Sequence, residues 1–315
     1  MNCKKIALFL GIAYAISWLT AGVIYFGGIE YGNGLSLFLV ACFYMPAPAL
    51  SALIVQKYVY QEPLSDIGWK WQGINWRWMI ATLFISMFFV LGTLGVVWVG
   101  GNTLGISSLG TLDFTEDGII QKLIEIVSEG NSDLPVDIEA ELEKMPFAIG
   151  AVPLILISLI GAIFAAFTIN LPFMFGEEFG WRGLLMKETQ QLGFLKSNLL
   201  IGTVWGLWHA PIILMGHNYP EYPVIGIGMM VIFCIMLAFP FAYVRFKTNS
   251  ILGPCVMHGM INGTAAMTLY FTWGGHSLVT GLTGVAGLIT ISTAAISILL
   301  FDREFIRGYS VDIPS

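Results

Sequence analysis

Seven long stretches of this chain contain no Asp, Glu, Lys or Arg: 6–29, 31–56, 78–112, 145–176, 197–220, 222–244 and 248–301. As an α-helix, about 20 apolar residues cross the hydrocarbon layer of a bilayer. Backbone polar groups in lipid need partners within the protein, which only helices and closed barrels provide. Barrel strands alternate polar and apolar residues; these runs are continuous, so they predict helices. Six runs take one helix each, and 248–301 takes two, joined near Trp273-Gly274-Gly275-His276. The expected fold class is all-α, a polytopic membrane protein with about eight transmembrane helices.

Composition narrows the function. The chain has 315 residues, 57% hydrophobic and 11% charged, against roughly 25% charged in soluble domains. That excludes an ordinary soluble enzyme or a disordered chain. A net charge of −6 offers no basic field for phosphates, so a lipid bilayer is the expected partner and nucleic acid is not. Cys3, Cys42, Cys234 and Cys255 form no CxxC pair, so neither a disulfide framework nor a thiolate metal site is expected. The first apolar run exceeds the 7–15 residue core of a signal peptide and reads as a retained anchor.

Basic residues orient the chain. With eight spans, all of its 14 Lys and Arg residues except Lys122 and Lys144 fall on the side of the N-terminus. The positive-inside rule then puts both termini in the cytoplasm, in a cell membrane or the endoplasmic reticulum. One integral domain is expected, comprising three N-terminal helices (1–99), an acidic outer insert (100–147), a core (148–275) and a last helix with its tail (276–315). The insert holds ten acids, from Asp113 to Glu143, with Ile119, Ile120, Leu123, Ile124 and Val127 at helical spacing. It predicts one or two amphipathic helices on the outer membrane surface.

Ionisable groups in the hydrocarbon layer cost roughly 2.5–3.5 kcal/mol each, so they mark function. The first three runs contain none. The fourth ends in Glu177-Glu178-x-x-x-Arg182. On a helix, Glu178 and Arg182 pair at i,i+4, while Glu177 points about 100° away. The fifth run carries Trp205-x-x-x-His209, with the imidazole near mid-depth and Pro211 loosening the helix. The seventh carries His258-x-x-x-Asn262, both on one face. His217 and His276 fall in outer loops and read as interfacial. A carboxylate beside an imidazole activates water, and a His/Asn pair holds an oxyanion. Glu177, His209 and His258 are also zinc-compatible ligands, so a bare and a metal-bound water both stay open. The sequence requires no cofactor.

These motifs resemble the CPBP family, which comprises the CAAX-type prenyl-protein endopeptidases and the bacteriocin-processing intramembrane proteases. The resemblance rests on Glu177, Glu178 and Arg182, on Trp205 and His209, and on His258 and Asn262. Trp205 stands where the family's short pattern often shows Phe. The resemblance implies an intramembrane endopeptidase with Glu177 as catalytic acid/base and His209 holding the attacking water. It implies that His258 and Asn262 form the oxyanion site, with Glu178 and Arg182 in support. The implied substrate is a peptide or a prenylated protein C-terminus; the place of Glu177 at the end of an inward-running helix, beside Arg182 and Lys187, leads us to expect access from the cytoplasmic side. A proton- or cation-coupled transporter and a non-catalytic immunity or scaffold protein are the alternatives. Oligomeric state is not legible.

Overall fold

The computed structural model describes residues 1–69, 72–130 and 150–310. It is helical almost throughout, in line with the continuous apolar runs. The first elements are α1 (Cys3–Phe26), α2 (Gly34–Val59) and α3 (Trp76–Thr103). An amphipathic helix α4 (Glu116–Gly130) follows. Beyond Gly150 come α5 (Ala151–Phe167) and α6 (Leu171–Glu178), the latter continued by a π-helical stretch, Phe179–Leu185. Next are α7 (Gly193–Trp208), α8 (Ala210–Leu214) and α9 (Pro223–Lys247). The chain closes with α10 (Leu252–Thr264), α11 (Val285–Phe301) and α12 (Arg303–Gly308).

Four described helices, α1, α2, α3 and α9, are long and apolar enough to cross a membrane, and the bent unit beginning with α5 and α6 makes a fifth. The remaining apolar segments are shorter. At 13 residues α10 extends about 20 Å, less than the roughly 30 Å hydrocarbon core. A count of eight full spans is therefore not reached by length and composition.

The joint in the last apolar run is centred on Trp273–His276, as expected, but is longer than a simple turn. The helix stops at Thr264, well before Trp273, and the next begins at Val285. Gly274, Gly275 and Gly281 all adopt positive φ, which breaks a helix. Thr272–Trp273 instead pairs antiparallel with Thr111–Leu112. This short ladder ties the insert to the bundle, where Ile119 and Leu112 are buried in the same cluster as Phe271. The predicted amphipathic helix is present as α4, while Asp133, Asp137, Glu139, Glu141, Glu143 and Lys144 lie outside the described residues.

Hydrogen bonds and ion pairs gather the loops at two ends. At the N-terminal end Lys5 bridges Glu62 and Glu188 at 2.7 and 3.0 Å, and Lys247 pairs with Asp302 at 2.6 Å. At the opposite end Tyr31 bonds His217, Tyr219 bonds the Thr283 carbonyl, and Ser277 bonds Glu221.

Each helix carrying a candidate site residue packs through a G-x-x-x-G pair. A Cβ on Gly180 would lie 2.5 Å from Pro48, and one on Gly176 would lie 3.0 Å from the Met45 carbonyl. On α7, Gly202 and Gly206 touch the α9 backbone at Ile235 and Val231. On α10, Gly259 and Gly263 touch Ala166 and Ala162 of α5. Close backbone approach of this kind drives helix association in lipid, where water supplies no hydrophobic force. Gly206→Leu should separate α7 from α9, because its Cβ would sit 2.5 Å from the Val231 Cα, a backbone atom that cannot rotate away. The expected result is loss of the folded monomer on size exclusion in detergent; a variant that elutes and melts like wild type contradicts this packing.

Candidate active site

The fourth apolar run is broken. Between α5 and α6 the chain turns by 62°, with Thr168 off helical geometry and Pro172 in the first turn of α6. Asn170 donates to the Gly259 carbonyl at 3.1 Å and fixes the break against α10. Some 12 residues separate Glu177 from the end of its helical run at Thr189, and its side chain is buried within the bundle.

Glu178 and Arg182 form the expected i,i+4 ion pair, Nη1 to Oε2 at 3.0 Å, with both side chains buried. The guanidinium carbon also lies 4.1 Å from the Trp205 ring centroid and 4.4 Å from that of Phe241. Its Nη2 has no hydrogen-bond acceptor among the described residues, and the two aromatic faces take up that charge. Glu178 Oε1 is 2.8 Å from His258 Nδ1. A carboxylate only accepts, so Nδ1 carries the proton and the ring turns Nε2 away from Glu178. Glu178 is thus spent on orienting its neighbours.

Glu177 faces a different environment. Its Oε2 accepts from Trp205 Nε1 at 2.9 Å, and its Oε1 has no protein hydrogen bond among the described residues. A phenylalanine at 205 would have no such N–H.

His209 sits where α7 ends. Its backbone N–H donates to the Gly206 carbonyl, which leaves the Trp205 carbonyl to accept from His209 Nδ1 at 2.8 Å. That bond sets the tautomer and leaves Nε2 with its lone pair. Helix ends in lipid need outside partners. Here α1 and α2 provide them: Trp18 Nε1 donates to the Trp208 carbonyl at 3.2 Å, and the Tyr44 hydroxyl donates to the same oxygen. Trp208 Nε1 reaches Ser17 at 2.8 Å.

Glu177, His209, His258 and Asn262 all line one cavity of about 270 Å³. Trp205 and Tyr44 complete its polar wall, while Met230, Phe233 and Leu237 form part of the apolar one. Asn262 Nδ2 makes only a weak 3.5 Å contact to the Met174 sulfur, so it is available to a better acceptor. Glu178 and Arg182 lie outside the lining, behind His258 and Trp205.

Two expectations change here. His217 is not a simple interfacial residue: it lines the cavity and bonds the Tyr31 hydroxyl at 2.9 Å. The cavity also runs away from the N-terminal end, since His217, Asn218 and Thr283 belong to the opposite loops. The buried Glu178–Arg182 pair and Trp181 fill the N-terminal side. No sequence pattern marks His217 or Tyr44, because neither lies at helical spacing from another ionisable group of the site.

Burial holds the His217 imidazole down to about 4, from an ordinary value of 6.5. Its folded value is below its unfolded one, so the unfolded chain binds the proton more readily. The stability this confers is complete above about 6.5 and is lost as pH falls towards about 4. His217→Gln should flatten the thermal midpoint of the detergent-solubilised protein across that window. A variant with the wild-type pH slope would contradict the assignment.

Zinc was the competing chemistry. Among the described residues no group of three His, Cys, Asp or Glu side chains is arranged to hold a metal ion. Glu177, His209 and His258 share the cavity, each with one polar atom held by protein, and the three do not form such a group.

Residues 147–264 match the family model described as type II CAAX prenyl endopeptidase Rce1-like. That segment is therefore similar to the CAAX endopeptidase family. The match spans the bend, the ion pair, both histidines and Asn262, a little over a third of the chain. A comparison with curated proteins found no match. The similarity is confined to this segment, which lies among helices long and apolar enough to cross a membrane.

Proposed function

We propose that this protein is an intramembrane endopeptidase that cleaves the C-terminal peptide of a prenylated protein with water activated by Glu177 and His209. The observation that carries the reading is the convergence of Glu177, His209, His258 and Asn262, drawn from three helical segments, on one cavity.

The chemistry follows from the hydrogen bonds. His209 Nε2 accepts one proton of a water molecule and holds it beside Glu177. Glu177 takes the other proton as the water oxygen attacks the peptide carbonyl carbon. The carbonyl π electrons move to oxygen, and Asn262 Nδ2 donates to that oxyanion. His258, held at Nδ1 by Glu178 Oε1, turns Nε2 toward the same oxyanion, where a proton on Nε2 would complete the oxyanion site. Glu177 then returns its proton to the amide nitrogen, the C–N bond breaks, and a carboxylic acid and an amine leave. No step needs a protein nucleophile or a metal ion.

The test is cleavage of matched prenylated and unprenylated C-terminal peptides by the full chain in detergent. The prenylated peptide should be cut and the unprenylated one cut poorly, with the rate unchanged after exhaustive chelation. Proton-linked flux in liposomes without any cleavage would favour a transporter. Peptide binding without cleavage or flux would favour a scaffold. Activity lost on chelation and restored by zinc would replace the metal-free step.

A further inference from the structure

Trp205 touches more of the site than any motif residue named above. Its indole N–H donates to Glu177 Oε2 at 2.9 Å, and its carbonyl accepts from His209 Nδ1 at 2.8 Å. Its ring lies under the Arg182 guanidinium at 4.1 Å. The same ring meets the His258 imidazole edge-on, with centroids 5.5 Å apart. Gly202 and Gly206 flank it on α7 and fasten that helix to the α9 backbone. The indole is buried, so its position is set by packing.

We propose that Trp205 is a positioning residue whose indole N–H fixes the Glu177 carboxylate, leaving Oε1 as the oxygen that exchanges a proton with water. This rests on the hydrolytic reading above. A glutamate has three side-chain torsions, the last a nearly free carboxylate rotor. Held at one oxygen by a rigid donor, it presents the other in a single direction. Proton transfer depends on that geometry before anything else. Glu178 has an analogous clamp in Arg182, but that clamp faces away from the cavity lining. The two adjacent carboxylates are thus divided by their donors: a guanidinium and an imidazole secure Glu178, and one indole orients Glu177. The Trp205 ring and its N–H act separately. The ring supports Arg182 and His258, whereas only the N–H reaches Glu177.

Trp205→Phe separates them, since it keeps an aromatic face for Arg182 and deletes the donor. With the prenylated peptide, Trp205→Phe should lower kcat about 10–100-fold, the size of one charge-assisted hydrogen bond, with KM little changed. Glu177→Ala, run beside it, should be inactive. Indole ¹⁵N–¹H spectra of the detergent-solubilised full chain give a readout independent of turnover. The resonance missing from Trp205→Phe should move in Glu177→Ala. If Glu177→Ala is inactive but Trp205→Phe turns over like wild type, the positioning role is wrong and the hydrolytic reading stands. If Glu177→Ala still cleaves, the hydrolytic reading itself fails. Should Trp205→Phe not fold, an indole resonance of the wild type that shifts on Glu177→Ala supports the contact, and spectra with no shifted indole overturn it.

Discussion

Glu177→Gln should abolish cleavage of the prenylated peptide, lowering kcat by about 10²–10⁴-fold, the range that positioned acid/base groups supply. The amide keeps the volume of the acid and can still accept from Trp205 Nε1, so the cavity keeps its shape. It cannot take a proton from water. The thermal midpoint should hold or rise, because a buried ionisable group has been replaced by a neutral one. Loss of activity without loss of stability identifies a chemical role. Steady-state cleavage and thermal unfolding on the same preparation measure both. Turnover by Glu177→Gln at the wild-type rate would remove Glu177 from the chemistry.

Arg182→Met tests the opposite kind of residue. Arg182 is buried, pairs with Glu178 at 3.0 Å and lies outside the cavity lining. Removing it leaves the Glu178 charge uncompensated, which costs about 3–5 kcal/mol when one partner of a buried pair is lost. The variant should unfold at much lower denaturant and yield little folded protein. Glu178→Gln combined with Arg182→Met removes both charges and should regain most of the stability. The double variant should still cleave poorly, because His258 loses the carboxylate that orients it. A double-mutant cycle on unfolding free energies reads the coupling. An Arg182→Met protein as stable as wild type would show that the pair contributes nothing.

The contrast between these neighbours shows how far residue spacing carries. The i,i+4 rule pairs Glu178 with Arg182 and sends Glu177 elsewhere, and the structure has both. The same rule places His258 and Asn262 on one face, and both line the cavity. Spacing also marks Trp205 and His209, but only as an aromatic near a histidine. That the indole N–H reaches Glu177, 28 positions away, depends on how α6 and α7 cross. His217 and Tyr44 are less visible still. One lies in a loop and the other in a run without ionisable residues, so local pattern has no signal for either.

Helix ends follow the same division. Apolar runs show where helices form, because burying an unpaired backbone in lipid is prohibitive. They do not show where helices stop inside a run. The early end of α10 at Thr264, with the short ladder that follows, depends on glycines with positive φ and on pairing with Thr111 and Leu112, far away in the chain.

Apolar periodicity and charge therefore determined the class of molecule and which acids, imidazoles and amide could carry chemistry, since those follow from transfer energies and helix geometry acting over a few residues. The bend between α5 and α6, the meeting of four polar groups at one cavity and the direction in which it runs were decided by tertiary packing. They depend on glycine-mediated backbone contacts between segments that are distant in sequence, and no local pattern encodes those distances.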